Sequence, residues 1–224
     1  MVNHHPNMQT LTDFAAGSLP FGQSLCVSVH LESCPQCQRN IRALNNLGGE
    51  LMDTLEPVAV GDDMLDTIMA RISSGDGKSS SADRSEARKP SAEVRGMPHV
   101  LAKLLPGGLN AVTWKRATAS LSTALLPVGD DNTQVALIRM KAGGRINEHD
   151  HDGDEFTVIL KGGFSDDRGS YHAGDFVTCT RDDRHQPVAH QNEECICLAA
   201  QAAPIKFTGW KGLLLNPLVA FSPG

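Results

Sequence analysis

The sequence predicts a two-domain α + β protein, a helical N-terminal module followed by an all-β barrel. Three observations predict it. Up to residue 72 apolar residues recur at three- and four-residue steps; residues 73–96 are polar and serine-rich; beyond them the apolar period falls to two. A chain of 224 residues has room for one large domain or two modest ones, and a 40% hydrophobic content is enough for a core in each.

In the first module, Leu11, Phe14 and Ala15 predict a short helix closed by Gly17 and Pro20, and Leu25 to His30 belongs to a second. Ile41, Leu44, Leu47, Leu51, Met52 and Leu55 place one apolar stripe along a further helix. After the punctuation of Pro57 and Gly61, Met64, Leu65, Ile68, Met69 and Ile72 repeat the pattern behind Asp62 and Asp63. Residues 73–96 contain one large aliphatic side chain, Val94, so the segment cannot offset its ordering entropy by burial and reads as a flexible linker. The domains expected are therefore 1–72, the linker 73–96, and 97–224.

In the second module, Thr133 to Met140 and Phe156 to Lys161 read as strands, the latter alternating Phe156, Val158 and Leu160 with Thr157, Ile159 and Lys161. Turn signals at Gly143-Gly144, Gly162-Gly163 and Ala173-Gly174-Asp175 separate many short strands, the spacing of a sandwich or barrel.

Composition excludes several functions. A net charge of −6 argues against a phosphate-binding surface, and 4% aromatics argues against stacking on single-stranded nucleic acid, so no direct nucleic-acid contact is expected. No signal peptide or membrane span is legible, which predicts a cytoplasmic protein. Most of the negative charge lies in residues 1–72, with three Arg against eight Asp or Glu. Such a module suits a basic partner, and equally an ordinary solvated helix face.

Six cysteines in a reducing compartment point to metal ligation, redox chemistry or buried thiols rather than structural disulfides. His30-x3-Cys34-x2-Cys37 is the strongest local pattern of the first module. Helical spacing puts His30 and Cys34 on one face, with Cys37 on the same face or in the next turn. Imidazole nitrogen and thiolate sulfur are the ligands of tetrahedral structural zinc, and His4 or His5 is available as a fourth. Cys34-Pro-Gln-Cys37 also fits a redox dithiol, although no βαβ pattern surrounds it, and the histidines also fit a surface role.

His-x3-Cys-x2-Cys with an upstream histidine resembles the zinc-binding anti-sigma domain. More specifically, HHPNMQTLTDFAAGSLP followed by VHLESCPQC resembles the ChrR family of anti-sigma factors, which also carry a C-terminal cupin; the resemblance covers the chain outside the linker. It implies zinc on His5, His30, Cys34 and Cys37, with His5 preferred over His4. It implies that the helical module clamps an extracytoplasmic-function sigma factor one to one and blocks its contact with RNA polymerase. It further implies release under oxidative stress, from singlet oxygen or organic hydroperoxides, with the cupin needed for the response.

Gly143-x5-His149-x-His151-x3-Glu155-x6-Gly162 fits the first cupin motif at every position, which makes the predicted second domain a cupin barrel. Residues i and i+2 of an extended segment share a side, so His149 and His151 can face the interior together, with Glu155 returning after a turn. His185 fits the later histidine, although His172-Ala-Gly174-Asp175 replaces Pro-x-Gly and the terminal Asn is absent. Three imidazoles and a carboxylate suit Zn, Fe(II), Mn(II) or Ni(II), and the resemblance points to zinc.

Cys195-Ile-Cys197 lies in an apolar run that reads as a buried strand, its thiols redox-sensitive groups or ordinary core; Cys26 and Cys179 receive no role. No further acid–base constellation accompanies the histidines, so the expectation is a regulator rather than an enzyme. The alternatives are a dioxygenase-like cupin enzyme with an accessory zinc domain, and a metal-storage protein.

Overall fold

The computed structural model describes residues 2–74, 97–181 and 183–207. Nearly all of the expected linker, and residues 208–224 of the expected second domain, lie outside the described residues. The N-terminal helices are α1 (Met8–Ala15), α2 (Phe21–Ser33), α3 (Pro35–Asp53) and α4 (Met64–Ser73), with α5 (His99–Leu104) beyond residue 96. Asn7 starts α1 by accepting a hydrogen bond from the Thr10 amide, and Gly17, at φ +69°, supplies the left-handed turn that releases the chain. Between α2 and α3 stands Cys34 in extended conformation, with Pro35 at the first helical position, where its missing N–H costs nothing.

Helix α2 is buried over most of its surface, with Ser24, Ser28 and Glu32 on its more open side. Leu25, Cys26, Val27, Val29 and His30 are all buried, because the helix lies between its sister helices and a β-sheet. The stripe foreseen on the other helices meets a different fate. Among the described residues α3 buries only Cys37 and α4 buries none, and Leu47, Leu51, Met52, Leu55, Leu65, Ile68, Met69 and Ile72 lie exposed.

The β domain comprises β1 (Lys115–Arg116), β2 (Leu121–Leu125), β3 (Gln134–Met140), β4 (His149–His151), β5 (Glu155–Lys161), β6 (Gly163–Asp166), β7 (Gly169–His172), β8 (Phe176–Cys179), β9 (Val188–Ala189), β10 (Cys195–Gln201) and β11 (Ile205–Phe207). They form a six-stranded antiparallel sheet in the order β1-β2-β3-β10-β5-β8, a three-stranded sheet β7-β6-β9 and a two-stranded pair β11-β4. Alternation along the central strands divides two cores. Val135, Leu137, Phe156, Val158, Leu198 and Ala200 pack toward the helices, whereas Met140, Ile159, Cys195 and Cys197 pack with Phe164, Tyr171 and Val177 of the smaller sheet side.

The closed barrel expected from the sequence is corrected here. No ladder joins β1 to β8 among the described residues, and the strands fall into three separate hydrogen-bonded sheets; isolated bridges pair Arg145 with Val188 of β9 and His149 of β4 with His185. Closure removes exposed edges, and this fold removes the β8 edge by other means. The N-terminal segment lies along it, with the Phe176 amide donating to the His4 carbonyl at 3.0 Å. Helix α2 covers the outer face of the central strands, so the sheet is buried on both sides without curling shut.

The helices and the β domain are joined by carboxylates, Asp130 buried and Glu32 exposed. Asp130 accepts from the Gly22 amide at 2.8 Å, and a Cβ at Gly22 would collide with Thr133 and Val135. Glu32 caps α5, accepting from the amides of His99 (2.7 Å) and Val100 (3.1 Å).

Candidate metal centres

The end of α2, the Cys34 corner and the first turn of α3 bring one cluster together. His30 sits in the last turn of α2, Cys34 between the helices and Cys37 in the first turn of α3, so the ligand pair spans a helix–helix corner rather than one continuous face. The Cys37 amide points at the Cys34 sulfur at 3.4 Å. His5 reaches in from the N-terminal segment, its Nδ1 lying 3.3 Å from Cys34 Sγ and 3.6 Å from Cys37 Sγ. His30 Nε2 lies 3.3 Å from Cys37 Sγ. Bonds of about 2.0 Å to nitrogen and 2.3 Å to sulfur give a tetrahedral N···S edge of about 3.5 Å, which these separations match. The four donor atoms lie within 4.8 Å of one another. His4 does not join them; its ring packs against Tyr171 instead, as alternation in an extended segment requires.

Electrostatics fit the same reading. Burial, aided by the neighbouring Cys34 sulfur, pushes the Cys37 thiol up to about 12. Burial, outweighing the Gly174 carbonyl, holds His30 below the ordinary imidazole value, which keeps it neutral as a ligand must be. A cation entering this site displaces the thiol protons, so uptake releases protons and strengthens as pH rises.

The second cluster joins His149 and His151 of β4 to His185, which the His149–His185 bridge holds opposite. The Nε2 atoms of His149 and His185 are 3.1 Å apart, and those of His151 and His185 are 3.2 Å apart. His149 Nδ1 donates to the Asn147 carbonyl at 2.9 Å, and His185 Nδ1 donates to the Asp166 carboxylate at 3.0 Å. With both Nδ1 protons so engaged, the neutral rings turn their Nε2 lone pairs toward one another, the arrangement a cation between them would satisfy. Nitrogen edges of a metal polyhedron run from about 3.0 Å at octahedral angles to about 3.3 Å at tetrahedral ones, a range that includes both separations. Burial, the largest influence, holds His149 down to about 4 and also lowers His151.

Glu155 lies beside this cluster and outside its convergent donors. Its carboxylate is 3.8 Å from His151 Nδ1 and accepts from Thr157 Oγ1 and Gln201 Nε2. Burial works to raise the Glu155 carboxyl, and His151, Gln201 and His149 together bring it below the usual value. Two residues that the motifs did not reveal complete the surroundings. Asp166 fixes the His185 ring, and Arg168 in turn stands 3.7 Å from Asp166 and donates to Cys179 Sγ at 2.9 Å. Asp166-Asp167-Arg168-Gly169 reads as a turn in sequence, with the Asp166 side chain accepting from the Arg168 and Gly169 amides, but its reach to His185 is a tertiary fact. A cavity of about 50 Å³ adjoins the cluster, lined mainly by apolar side chains together with Cys179 and Cys197. Cys195 and Cys197 hold their sulfurs 3.5 Å apart on one face of β10, and both thiols are free.

Among the described residues the chain carries two clusters of metal-ligand side chains, one among the N-terminal helices and one in the β domain, which suggests two metal-binding sites. Residues 108–204 match the family described as the ChrR cupin-like domain. The anti-sigma-E factor ChrR of Cereibacter sphaeroides is 32% identical over 216 residues, spanning 96% of this chain and 97% of that relative. The crystal structure of Rhodobacter sphaeroides SigE in complex with the anti-sigma ChrR superposes with a TM-score of 0.75 at 30% identity, covering 90% of this chain and 99% of that chain. The chain belongs to the ChrR family of anti-sigma factors.

Proposed function

We propose that this protein binds an extracytoplasmic-function sigma factor one to one through its N-terminal helices, withholding it from RNA polymerase until oxidative stress releases it. The exposed apolar face of α3 and α4 carries this reading. Leu51 and Met52 of α3, Leu55 just beyond it, and Leu65, Met69 and Ile72 of α4 are each more than half exposed. An apolar stripe of that extent is a surface for a partner. The partner class follows from kinship along nearly the whole chain with a protein named as an anti-sigma factor and crystallised with SigE.

In this reading His5, His30, Cys34 and Cys37 hold a structural zinc that fixes the α2–α3 corner. His149, His151 and His185 hold a second zinc, with the Glu155 carboxylate beside them as the further ligand proposed. The first metal supplies folding energy, because its site forms only with the fold; the second ties β4 to the His185 loop. Residues 1–72 act as the clamp, 73–96 as the connector and 97–224 as the domain needed for the response, all in the cytoplasm. The role is regulatory, with no catalytic residues assigned. Singlet oxygen or organic hydroperoxides are the signals proposed, and Met52 and Met69 on the apolar face are sites where sulfoxide formation would turn a docking surface polar.

Replacing both thiols, Cys34→Ser with Cys37→Ser, tests the clamp. The altered chain is expected to lose one zinc equivalent and to co-purify with its co-expressed sigma factor at least ten-fold less, because the corner that zinc organises no longer folds. Undiminished co-purification contradicts the proposal.

A further inference from the structure

The turn between β7 and β8 of the C-terminal domain reaches across to the N-terminal cluster. We propose that this turn is the outer shell of the N-terminal metal centre and that Asp175 is its positioning residue, an inference that rests on the metal reading of His5, His30, Cys34 and Cys37. Two of the four ligands are held by the turn. His30 Nδ1 meets the Gly174 carbonyl at 2.8 Å. A carbonyl oxygen only accepts, so Nδ1 carries the proton and the Nε2 lone pair is left facing Cys37 Sγ at 3.3 Å. The His30 ring also packs edge-on against Phe176.

His5 is held through the segment before it. One oxygen of Asp175 accepts from the Asn3 amide at 2.7 Å and the His4 amide at 3.1 Å, and the other accepts from the His172 amide at 2.9 Å. The Phe176 amide completes the attachment by donating to the His4 carbonyl at 3.0 Å. The next residue along is His5. Asp175 is 1% exposed, so its charge is committed to these donors rather than to water. Gly174 permits the approach: at φ +92°, it lies so close to the N-terminal segment and the end of α2 that a Cβ would meet Val2 at 2.9 Å and Ser33 at 3.1 Å. The centre is therefore assembled between two domains, and any movement of this turn loosens two ligands at once.

The test uses the full chain and Co²⁺ as the probe, read by its thiolate charge-transfer absorption. The signal absent from the Cys34→Ser/Cys37→Ser chain isolates the N-terminal centre. Asp175→Ala is expected to raise the Co²⁺ concentration at half-saturation about 10- to 100-fold, the usual effect of losing an outer-shell partner. Asp175→Asn keeps an acceptor oxygen and falls between that variant and the unaltered chain. Saturation of Asp175→Ala at the unaltered concentration overturns the inference. A measurement on the zinc-loaded, unaltered chain needs no variant to fold: ring-nitrogen NMR should find a slowly exchanging proton on His30 Nδ1, and exchange at the solvent rate overturns the inference as well. An unaltered chain that shows no thiolate band overturns the metal reading itself.

Discussion

Asp130 illustrates how much single side chains carry in this protein. Its carboxylate is 5% exposed and accepts from the Gly22 amide, the Asn132 amide and the Thr133 hydroxyl, fastening α2 to the β domain. Burial, the largest influence, works to raise this carboxyl, and the donors from Gly22, Thr133 and Asn132 outweigh it and hold it below 3.8. A carboxyl depressed in the folded state stabilises above its unfolded value and loses that contribution as pH falls through its folded value. Asp130→Ala is therefore expected to destabilise the chain by about 2 to 3 kcal/mol at neutral pH, the cost of stranding buried donors. The variant should also show a shallower loss of stability below about pH 4. Denaturant melts across pH check both parts. The residue scale is also where the sequence was most and least informative. His30, Cys34 and Cys37, like His149 and His151, lie close together along the chain, so spacing alone paired them. Asp166 and Asp175 act on histidines 19 and 171 residues away, His185 and His4, and no local pattern encodes that reach.

At the scale of elements, periodicity found the helices and the central strands, yet it could not say what each apolar face meets. The α3 and α4 stripes look like core in sequence, yet only Ile41 and Leu44 of α3 pack inward, and the stripe from Leu47 on lies open to solvent. Helix α2 confines its polar side chains to a narrow stripe at Ser24, Ser28 and Glu32, and Leu25, Cys26, Val27 and Val29 on the rest of its surface are buried. The barrel failed for a related reason. Short alternating strands announce a layered β domain, whereas closure depends on which distant edges pair, and here the N-terminal segment takes the β8 edge. The open α4 face makes a sharp prediction: because Ile68 and Met69 are about half exposed, aspartate at both leaves the melting temperature of the free chain within a degree or two, as surface substitutions do. The same pair is expected to weaken sigma-factor capture at least 100-fold in a titration, since two charges would then be buried in an apolar contact. Unchanged capture would move the docking surface elsewhere.

The whole molecule is more integrated than its composition implies. A polar run of two dozen residues, 73–96, separates the two expected modules in sequence, but one core joins Leu25, Val27 and Val29 of α2 to Val135, Phe156 and Leu198 of the β domain. Carboxylates at Asp130, Asp175 and Glu32 close the seam at three places. Such a junction gives a change in the β domain a short mechanical route to the helices that carry the apolar face. The account stands or falls on what those helices hold. Co-expression of the full chain with the extracytoplasmic-function sigma factors of its own genome, followed by mass measurement of the purified species and its metals, tests this most directly. The account predicts a one-to-one complex carrying about two zinc ions, one for each donor cluster. A free chain with no sigma factor attached, or a complex without zinc, would contradict it.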